Sequence, residues 1–179
     1  MKRIAVYGGS FNPPHVAHAM VASWLRWTAQ ADEVWLVPVF QHAFGKEMMA
    51  FERRVVLCRA LAAELGPWVQ VVGIESTLPQ PSYTIDTLRA IQKAHPGNAL
   101  RWVAGSDILQ DVHRWKSWNE IQRDFSPIIV GRAGYPIPVD SVVFPEVSSS
   151  EIRRLREQGK NVSHWVPAAV LALLDVDEA

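Results

Sequence analysis

Short runs of β-branched and aliphatic residues alternate along this chain with longer amphipathic stretches, and this alternation constrains the fold more than any other feature. Two of the short runs, at 34–37 and 127–130, lack regularly spaced polar residues. Strands of that kind are typical of parallel sheets that are covered by helices on both faces. We therefore predict an α/β fold, a Rossmann-like doubly wound parallel sheet with a C-terminal helical segment.

The same patterns predict where each element lies along the chain. Strands are expected at 3–7, 33–39, 69–73, 100–104 and 127–130, with a weaker one at 141–144. Helices are expected at about 14–29, about 50–65, 83–95, in two short pieces within 107–124, at about 149–157 and over 167–174. The length of 179 residues fits one domain spanning residues 1–179.

Composition excludes several classes of protein. The 18 Lys and Arg residues balance the 18 Asp and Glu residues, so no basic field indicates a nucleic-acid partner. Cys58 is the single cysteine, which rules out an internal disulfide and fits a reducing compartment. No apolar run approaches the length of a membrane span. We expect a cytoplasmic protein without membrane or nucleic-acid partners.

The turn at 8–13 and the two histidines that follow it carry the clearest chemical signal. We expect Asn12 to cap a helix whose first turn contains two prolines, with His15 inside the helix. His15 and His18 then lie about one turn apart at the positive end of the helix, facing a glycine turn. This arrangement suits a polyphosphate.

Other interpretations of this segment are weaker. The turn lacks the Gly-x-Gly-x-x-Gly spacing of dinucleotide-binding proteins, and no Gly-Lys-Ser/Thr follows as in a P-loop. A zinc site would need further Cys, Asp or Glu ligands at short spacing, and none is present. The two histidines taken alone are also compatible with ordinary helix positions.

Two segments at opposite ends of the chain resemble a known family. Residues 8–18 resemble the Gly-x-Phe-x-Pro-x-His-x-Gly-His signature of the nucleotidyltransferases that include the nicotinate and nicotinamide mononucleotide adenylyltransferases. Residues 148–153 resemble the second signature of this family, Ile-Ser-Ser-Thr-x-x-Arg. Ala17 departs from the first signature, because the family usually has glycine there.

Further segments bear on which member of the family the chain resembles. Residues 81–88 and 105–109 are similar to the Ser-Tyr-Thr-x-x-Thr-Leu and Gly-x-Asp-x-Leu segments of the bacterial nicotinate mononucleotide enzymes. Trp115 falls where that subfamily has a ring-stacking tryptophan, and an indole face suits a positively charged pyridinium. Residues 42–46, in contrast, resemble the Ala-Tyr-Gly-Lys run of the nicotinamide-type enzymes. The sequence therefore leaves open whether the acceptor is the acid, nicotinate mononucleotide, or the amide, nicotinamide mononucleotide.

The resemblance implies a role for each motif residue. The implied catalytic residues are His15, His18, Lys46 and Arg153. The implied ATP-binding residues are Gly8, Gly9, Ser10, Phe11, His15, His18, Gly105, Asp107, Ser149, Ser150 and Arg153, and the implied mononucleotide-binding residues are Lys46, Thr84 and Trp115. No metal-binding side chain is implied, since Mg²⁺ is expected to be bound by the ATP phosphates. Arg54, Arg132, Arg154 and Arg156 receive no role from the sequence.

The function implied is transfer of AMP from ATP to the 5′-phosphate of nicotinate mononucleotide in NAD biosynthesis, with nicotinamide mononucleotide open as a second acceptor. Beside ATP phosphates we expect the pKa of His15 and His18 to rise from about 6.5, which favours imidazolium. The alternatives are a related adenylyl- or cytidylyltransferase acting on phosphopantetheine or choline phosphate, and a nucleotide-sensing module without catalytic activity.

Overall fold

A parallel sheet of five strands forms the centre of the molecule in a computed structural model that describes residues 1–41, 47–139 and 141–176. Its strands are β1 (Arg3–Gly9), β2 (Glu33–Pro38), β3 (Val69–Val71), β4 (Ala99–Gly105) and β5 (Ile128–Val130). Their order across the sheet is β3-β2-β1-β4-β5, and every pair of neighbours is parallel. The strand order therefore reverses between β1 and β4, and ligands in such sheets bind at the carboxyl ends of the strands beside that point.

Helices cover both faces of this sheet. The helices are α1 (Val16–Trp27), α2 (Phe51–Leu65), α3 (Thr84–Ala94), α4 (Trp118–Phe125), α5 (Ser149–Glu157) and α6 (Ala168–Val176). Three short 3₁₀ turns lie at Ile74–Thr77, Ser106–Gln110 and Val112–Arg114. No helix among the described residues combines the length and apolar character needed to cross a membrane.

Successive residues of each strand enter two different apolar cores, because side chains of a strand alternate between the faces of the sheet. Ala5 and Leu36 belong to the core on one face, where they meet residues of α1, α2, α5 and α6. Val6 and Trp35 belong to the core on the other face, against α3 and α4. Both faces are thus buried, which explains the strands without polar alternation and confirms the predicted doubly wound fold.

The start of α1 and the last predicted strand differ from the structure. Helix α1 begins at Val16 rather than near residue 14, with His15 and not Asn12 at its N-cap. The side-chain oxygen of Asn12 instead accepts a hydrogen bond from the main-chain N–H of Met49, at 3.0 Å, and is therefore not available to cap the helix. The predicted strand at 141–144 is reduced to a single bridge between Gly131 and Val143, because this segment is largely exposed.

Candidate active site

The loop that follows β1 lies at the carboxyl edge of the sheet, beside the point where the strand order reverses. Its turn passes through Phe11, which has a φ of 46° and is buried. The Phe11 ring packs edge-on against Tyr7, with centroids 5.7 Å apart, and lies 4.8 Å from the ring of His18. A left-handed conformation is unfavourable for a bulky residue, so this packing must hold the loop in place.

His15 and His18 meet at the N-terminus of α1. Their ring centroids are 3.8 Å apart, and the main-chain N–H of His15 donates a hydrogen bond to Nδ1 of His18 at 3.1 Å. The His15 ring in turn faces the main-chain N–H of His18, which gives a reciprocal capping box, although its buried Nδ1 forms no hydrogen bond of good geometry among the described residues. Ala17 lies in the first turn of the same helix, where a helical residue needs no glycine. The two imidazoles are therefore held together at the positive end of a helix.

Both histidines favour the neutral form in the protein without ligand. Burial lowers the pKa of His15 to about 4, and the positive charge of Arg132 acts in the same direction. Burial also lowers the pKa of His18 well below its ordinary value, with contributions from His15 and Arg132. If ATP phosphates raise the pKa of His15 and His18, as the sequence predicts, they must raise it from values below the ordinary 6.5.

The second motif docks directly onto the first. The Ser149 hydroxyl donates to the carbonyl of Pro13 at 2.8 Å, and the Arg153 guanidinium donates to the carbonyl of Asn12 at 2.5 Å. Arg153 also donates to the Ser150 hydroxyl at 3.4 Å. Helix α5 presents these residues because its N-terminus, capped by the side chain of the preceding serine, lies against the loop. Two segments more than 130 residues apart thus form one surface.

At the end of β4, Asp107 forms an ion pair with Arg132, with an Nη1–Oδ2 distance of 2.9 Å. The main-chain N–H of Arg132 donates to the Ser106 hydroxyl at 2.9 Å. Gly105 is required for this close approach: a Cβ there would lie 2.3 Å from an Asp107 oxygen and 2.7 Å from Cδ of Arg132. The site therefore contains an arginine beside the histidine pair to which the sequence assigned no role.

A cavity of about 450 Å³ is lined in part by the same loop. Gly8, Gly9 and Ser10 line it, together with Thr84 and Trp115. Thr84 is the first residue of α3, and the Trp115 ring lies 5.0 Å from the ring of Trp102. A Cβ on Gly8 would meet no atom within 4 Å, so a side chain there would extend into open space. The glycine loop forms a wall of this cavity.

Comparisons with known proteins show the family to which this chain belongs. The chain matches the family described as Cytidylyltransferase-like over residues 6–155. It is 43% identical to a probable nicotinate-nucleotide adenylyltransferase of Myxococcus xanthus, over 95% of this chain and 90% of that protein. The chain belongs to the nicotinate-nucleotide adenylyltransferase family. The family resemblance seen in the two motifs is confirmed.

More distant members of the nicotinate-nucleotide adenylyltransferase family extend the match. A probable enzyme of this name from Thermus thermophilus is 35% identical over 94% of each chain. A putative one from Vibrio parahaemolyticus, with a crystal structure, has a TM-score of 0.77 at 26% identity and covers 97% of this chain and 99% of its own. The Plasmodium falciparum nicotinic acid mononucleotide adenylyltransferase, solved with NaAD, has a TM-score of 0.78 at 20% identity over 97% and 95% of the chains. These likenesses confirm the fold.

Arg54 is a residue of this adenylyltransferase that sequence reasoning left without a role. It is 1% exposed, and its guanidinium donates to four carbonyl groups rather than to an acid. Those carbonyls belong to Ser10, Val39, Phe40 and Met49, at 2.9, 2.8, 3.3 and 2.9 Å. Arg54 therefore connects the glycine loop to both ends of the segment 40–49. Burial lowers the pKa of Arg54, with smaller opposing effects from Cys58 and Glu52.

Glu75 is a second residue of the site that the sequence did not reveal. It is 6% exposed, lines the cavity and accepts hydrogen bonds from the hydroxyls of Ser82 and Thr87. These two hydroxyls flank the start of α3, whose N-cap residue, Tyr83, makes no side-chain cap. A buried glutamate gives no sequence pattern of its own, so only the folded chain identifies it.

Lys46 lies outside the described residues, as does the whole run 42–46 that resembles the nicotinamide-type enzymes. Within the described ranges, no group of three or more His, Cys, Asp or Glu is arranged to hold a metal ion. The other motif residues occupy the loop after β1, the N-termini of α1 and α5, the end of β4 and the cavity. All of these positions lie at the carboxyl edge of the sheet.

Proposed function

We propose that this protein transfers AMP from ATP to the 5′-phosphate of nicotinate mononucleotide, releasing pyrophosphate and forming the dinucleotide. One observation carries the proposal: Gly8, Gly9 and Ser10 of the loop line the cavity of Trp115, and the next loop residue, Phe11, contacts the ring of His18. The loop would therefore contact both a triphosphate bound at the histidines and a nucleotide bound in the cavity. That proximity is what a transfer between two bound nucleotides requires.

ATP is proposed to bind at the histidine pair and the docked second motif. The hydroxyls of Ser149 and Ser150 and the guanidinium of Arg153 lie at the N-terminus of α5, whose dipole favours an anion. Nε2 of His18 is available to donate to a phosphate oxygen, because Nδ1 already accepts a hydrogen bond. Amides of the loop residues Gly9, Ser10 and Phe11 would add further donors.

The acceptor is proposed to occupy the cavity at the start of α3. Thr84 lines this cavity as the first residue of α3, and helix N-termini favour carboxylates. The exposed part of the Trp115 indole can stack on a pyridinium ring. Lys46 would contribute a point charge for the acceptor phosphate.

The reaction needs no general base. The 5′-phosphate of a mononucleotide, with a second pKa near 6, is already largely ionised at neutral pH. It can attack the α-phosphorus in line, while the protein holds both anions and stabilises the charge that develops on the phosphoryl oxygens. Arg153 and the histidines would supply this stabilisation on the ATP side.

We propose that Mg²⁺ accompanies ATP. At the docked motifs, the Arg153 guanidinium and the Ser150 hydroxyl supply N–H and O–H donors. Such donors suit phosphate oxygens better than a bare cation, which requires oxygen ligands. Bound to the phosphates, Mg²⁺ would neutralise part of their charge. A cytoplasmic location is part of the same proposal, since a lone buried thiol, Cys58, fits a reducing compartment.

Pyrophosphate release tests the function directly. The purified protein with Mg²⁺, ATP and nicotinate mononucleotide should release pyrophosphate and form the dinucleotide, and omission of the mononucleotide should abolish both. The same measurement with nicotinamide mononucleotide decides which acceptor is preferred. Absence of product with either pyridine nucleotide, but turnover with phosphopantetheine or with CTP and choline phosphate, would refute the assignment.

A further inference from the structure

Glu75 is a buried carboxylate in the wall of the cavity. It is 6% exposed and belongs to the 3₁₀ turn Ile74–Thr77, which lies between β3 and α3. Its two oxygens accept hydrogen bonds from the hydroxyls of Ser82 and Thr87. Burial of a carboxylate is costly, and hydrogen bonds to its oxygens reduce that cost only in part. A glutamate therefore lies where an apolar side chain would cost less, so its bonds rather than its bulk must explain it.

The two hydroxyls that Glu75 binds lie on either side of the start of α3. Ser82 precedes Tyr83, the N-cap residue, and Thr87 follows the first three residues of the helix. Both bonds to Glu75 come from side chains, and Tyr83 makes no side-chain cap. Glu75 thus fixes the position of the helix start through side chains. The first main-chain N–H groups of α3 are left available to an anion.

The same helix start forms one wall of the cavity. The residues that it contributes to the lining are Ser82, Tyr83, Thr84 and Thr87. A second connection holds it from the opposite wall, where Lys116 pairs with Asp86 at 2.9 Å. Both partners of that pair are partly exposed, and exposed ion pairs contribute little. The buried bonds to Glu75 must therefore provide most of the constraint on this wall.

We propose that Glu75 is a positioning residue for the acceptor, because it holds the start of α3 at the place where the pyridine mononucleotide binds. It acts through Ser82 and Thr87 and does not contact the reacting atoms. Its negative charge is offset by the two hydroxyl donors and by the positive end of α3. The proposal rests on the proposed function for the identity of the acceptor.

Steady-state kinetics tests the role of Glu75 in acceptor binding. Glu75→Ala removes both acceptor oxygens, so KM for nicotinate mononucleotide should rise about tenfold while KM for ATP changes less than about twofold. Glu75→Gln keeps one oxygen that can accept a hydroxyl and should recover part of this loss at constant volume. Glu157→Gln, at an exposed position on α5, is the control and should leave both KM values unchanged.

A general structural role would give a different pattern. An equal rise in both KM values, or a fall in kcat with both KM values unchanged, overturns the proposal. Circular dichroism shows whether each variant is folded. If the alanine variant does not fold, Glu75→Gln alone decides, and unchanged acceptor KM in that variant overturns the proposal.

Replacement of Thr87 tests whether the hydroxyl and the carboxylate act together. Thr87→Val removes one hydroxyl at nearly constant volume and should raise KM for the mononucleotide about threefold. In the Glu75→Gln background the same substitution should add less than it does in the parent, because the bond is already weakened. Fully additive effects would show that the two side chains act independently, and would overturn the proposal.

Hydrogen exchange of the free protein tests the positioning without any substrate. Main-chain N–H groups in the first two turns of α3 should exchange faster in Glu75→Gln than in the parent, and those of α2 should not change. Unchanged exchange in α3 overturns the proposal, whatever substrate the protein uses. Faster exchange there, in a protein that does not use either pyridine mononucleotide, would support the positioning of α3 and refute only the proposed acceptor.

Discussion

The hydroxyl of Ser149 donates to the carbonyl of Pro13 at 2.8 Å and so joins two residues that are 136 positions apart in the chain. Arg153 makes a parallel contact to the carbonyl of the preceding residue, Asn12. These bonds join the N-terminus of α5 and the loop before α1 into one surface. The proposed triphosphate site is therefore assembled from both ends of the sequence.

Replacement of Arg153 tests this surface. Arg153→Ala removes a guanidinium that holds the loop carbonyl and faces the proposed phosphates, so kcat/KM for ATP should fall about a hundredfold. Arg153→Lys should recover only part of the loss, because a lysine is a point charge and lacks the planar fork. Steady-state kinetics with varied ATP measures both. Arg123→Ala, an exposed arginine paired with Asp124 on α4, serves as the control and should leave ATP kinetics unchanged.

Replacement of His18 tests its role as a donor. His18→Ala should lower kcat a hundredfold or more, about 3 kcal/mol, with the fold intact by circular dichroism. His18→Gln keeps an N–H group near the position of Nε2 and should lose only about tenfold. Single-turnover kinetics at saturating concentrations of both substrates measures the rate of each variant and so distinguishes the two losses. Near-normal turnover in the folded alanine variant would contradict the role.

Replacement of Trp115 tests the acceptor cavity. The indole packs on Trp102 and also lines the cavity, so Trp115→Ala should raise KM for nicotinate mononucleotide about tenfold. The KM for ATP should change little, because His15, His18 and Arg153 are not among the residues that line this cavity. Trp27→Ala is the matched control, since this residue is 80% exposed on α1. An effect of Trp115→Ala confined to ATP would count against stacking.

Replacement of Arg54 tests the buried connection behind the loop. Arg54→Met preserves most of the volume but leaves four carbonyl groups without their donor, so the free energy of unfolding should drop by about 3 kcal/mol. Urea denaturation measures this change. Arg59→Met, at an exposed position on the same helix, should change stability by less than about 0.5 kcal/mol. Equal effects of the two substitutions would show that the carbonyl contacts contribute nothing.

The ion pair at the amino edge of the sheet predicts a dependence of stability on pH. Hydrogen bonds from the side chain and main chain of Arg3 lower the pKa of Asp32 to about 2. The folded-state pKa is thus below the unfolded value of about 3.9, so the pair stabilises the protein above about pH 4 and loses this effect as the pH falls towards 2.

Asp32→Asn should therefore lower stability at pH 6 and have a progressively smaller effect towards pH 2, as measured by urea denaturation across that range. Arg3→Ala should show a weaker dependence of the same sign, because the main-chain N–H of residue 3 still donates to Asp32. A constant difference at every pH would contradict the assignment to this pair.

Local patterns in the sequence were sufficient to predict the sheet and most of the helices. Strands without polar alternation, such as 34–37, indicated burial on both faces, and Val34 and Trp35 indeed enter different cores. The motifs at 8–18 and 148–153 were sufficient to predict the family. Such patterns are visible in sequence because backbone propensity and the period of apolar residues act over a few neighbouring positions.

The polar contacts of the site depend on the tertiary structure. Asn12 has the side chain of a helix cap, yet its oxygen is bound to Met49, so α1 begins three residues later than that cap would allow. Arg132 acquires its position from Asp107 across two adjacent strands. No local pattern marks these partners, because they are distant in sequence and meet only when the chain folds.

The sequence by itself determined the layered α/β architecture and the family of this protein. The tertiary structure decided that His15 caps the helix instead of lying within it, that its N–H binds Nδ1 of His18, and that Arg54 is buried behind the loop. The physical reason is that a buried polar group must find a hydrogen-bond partner, and which partner it finds depends on the segments that folding brings together.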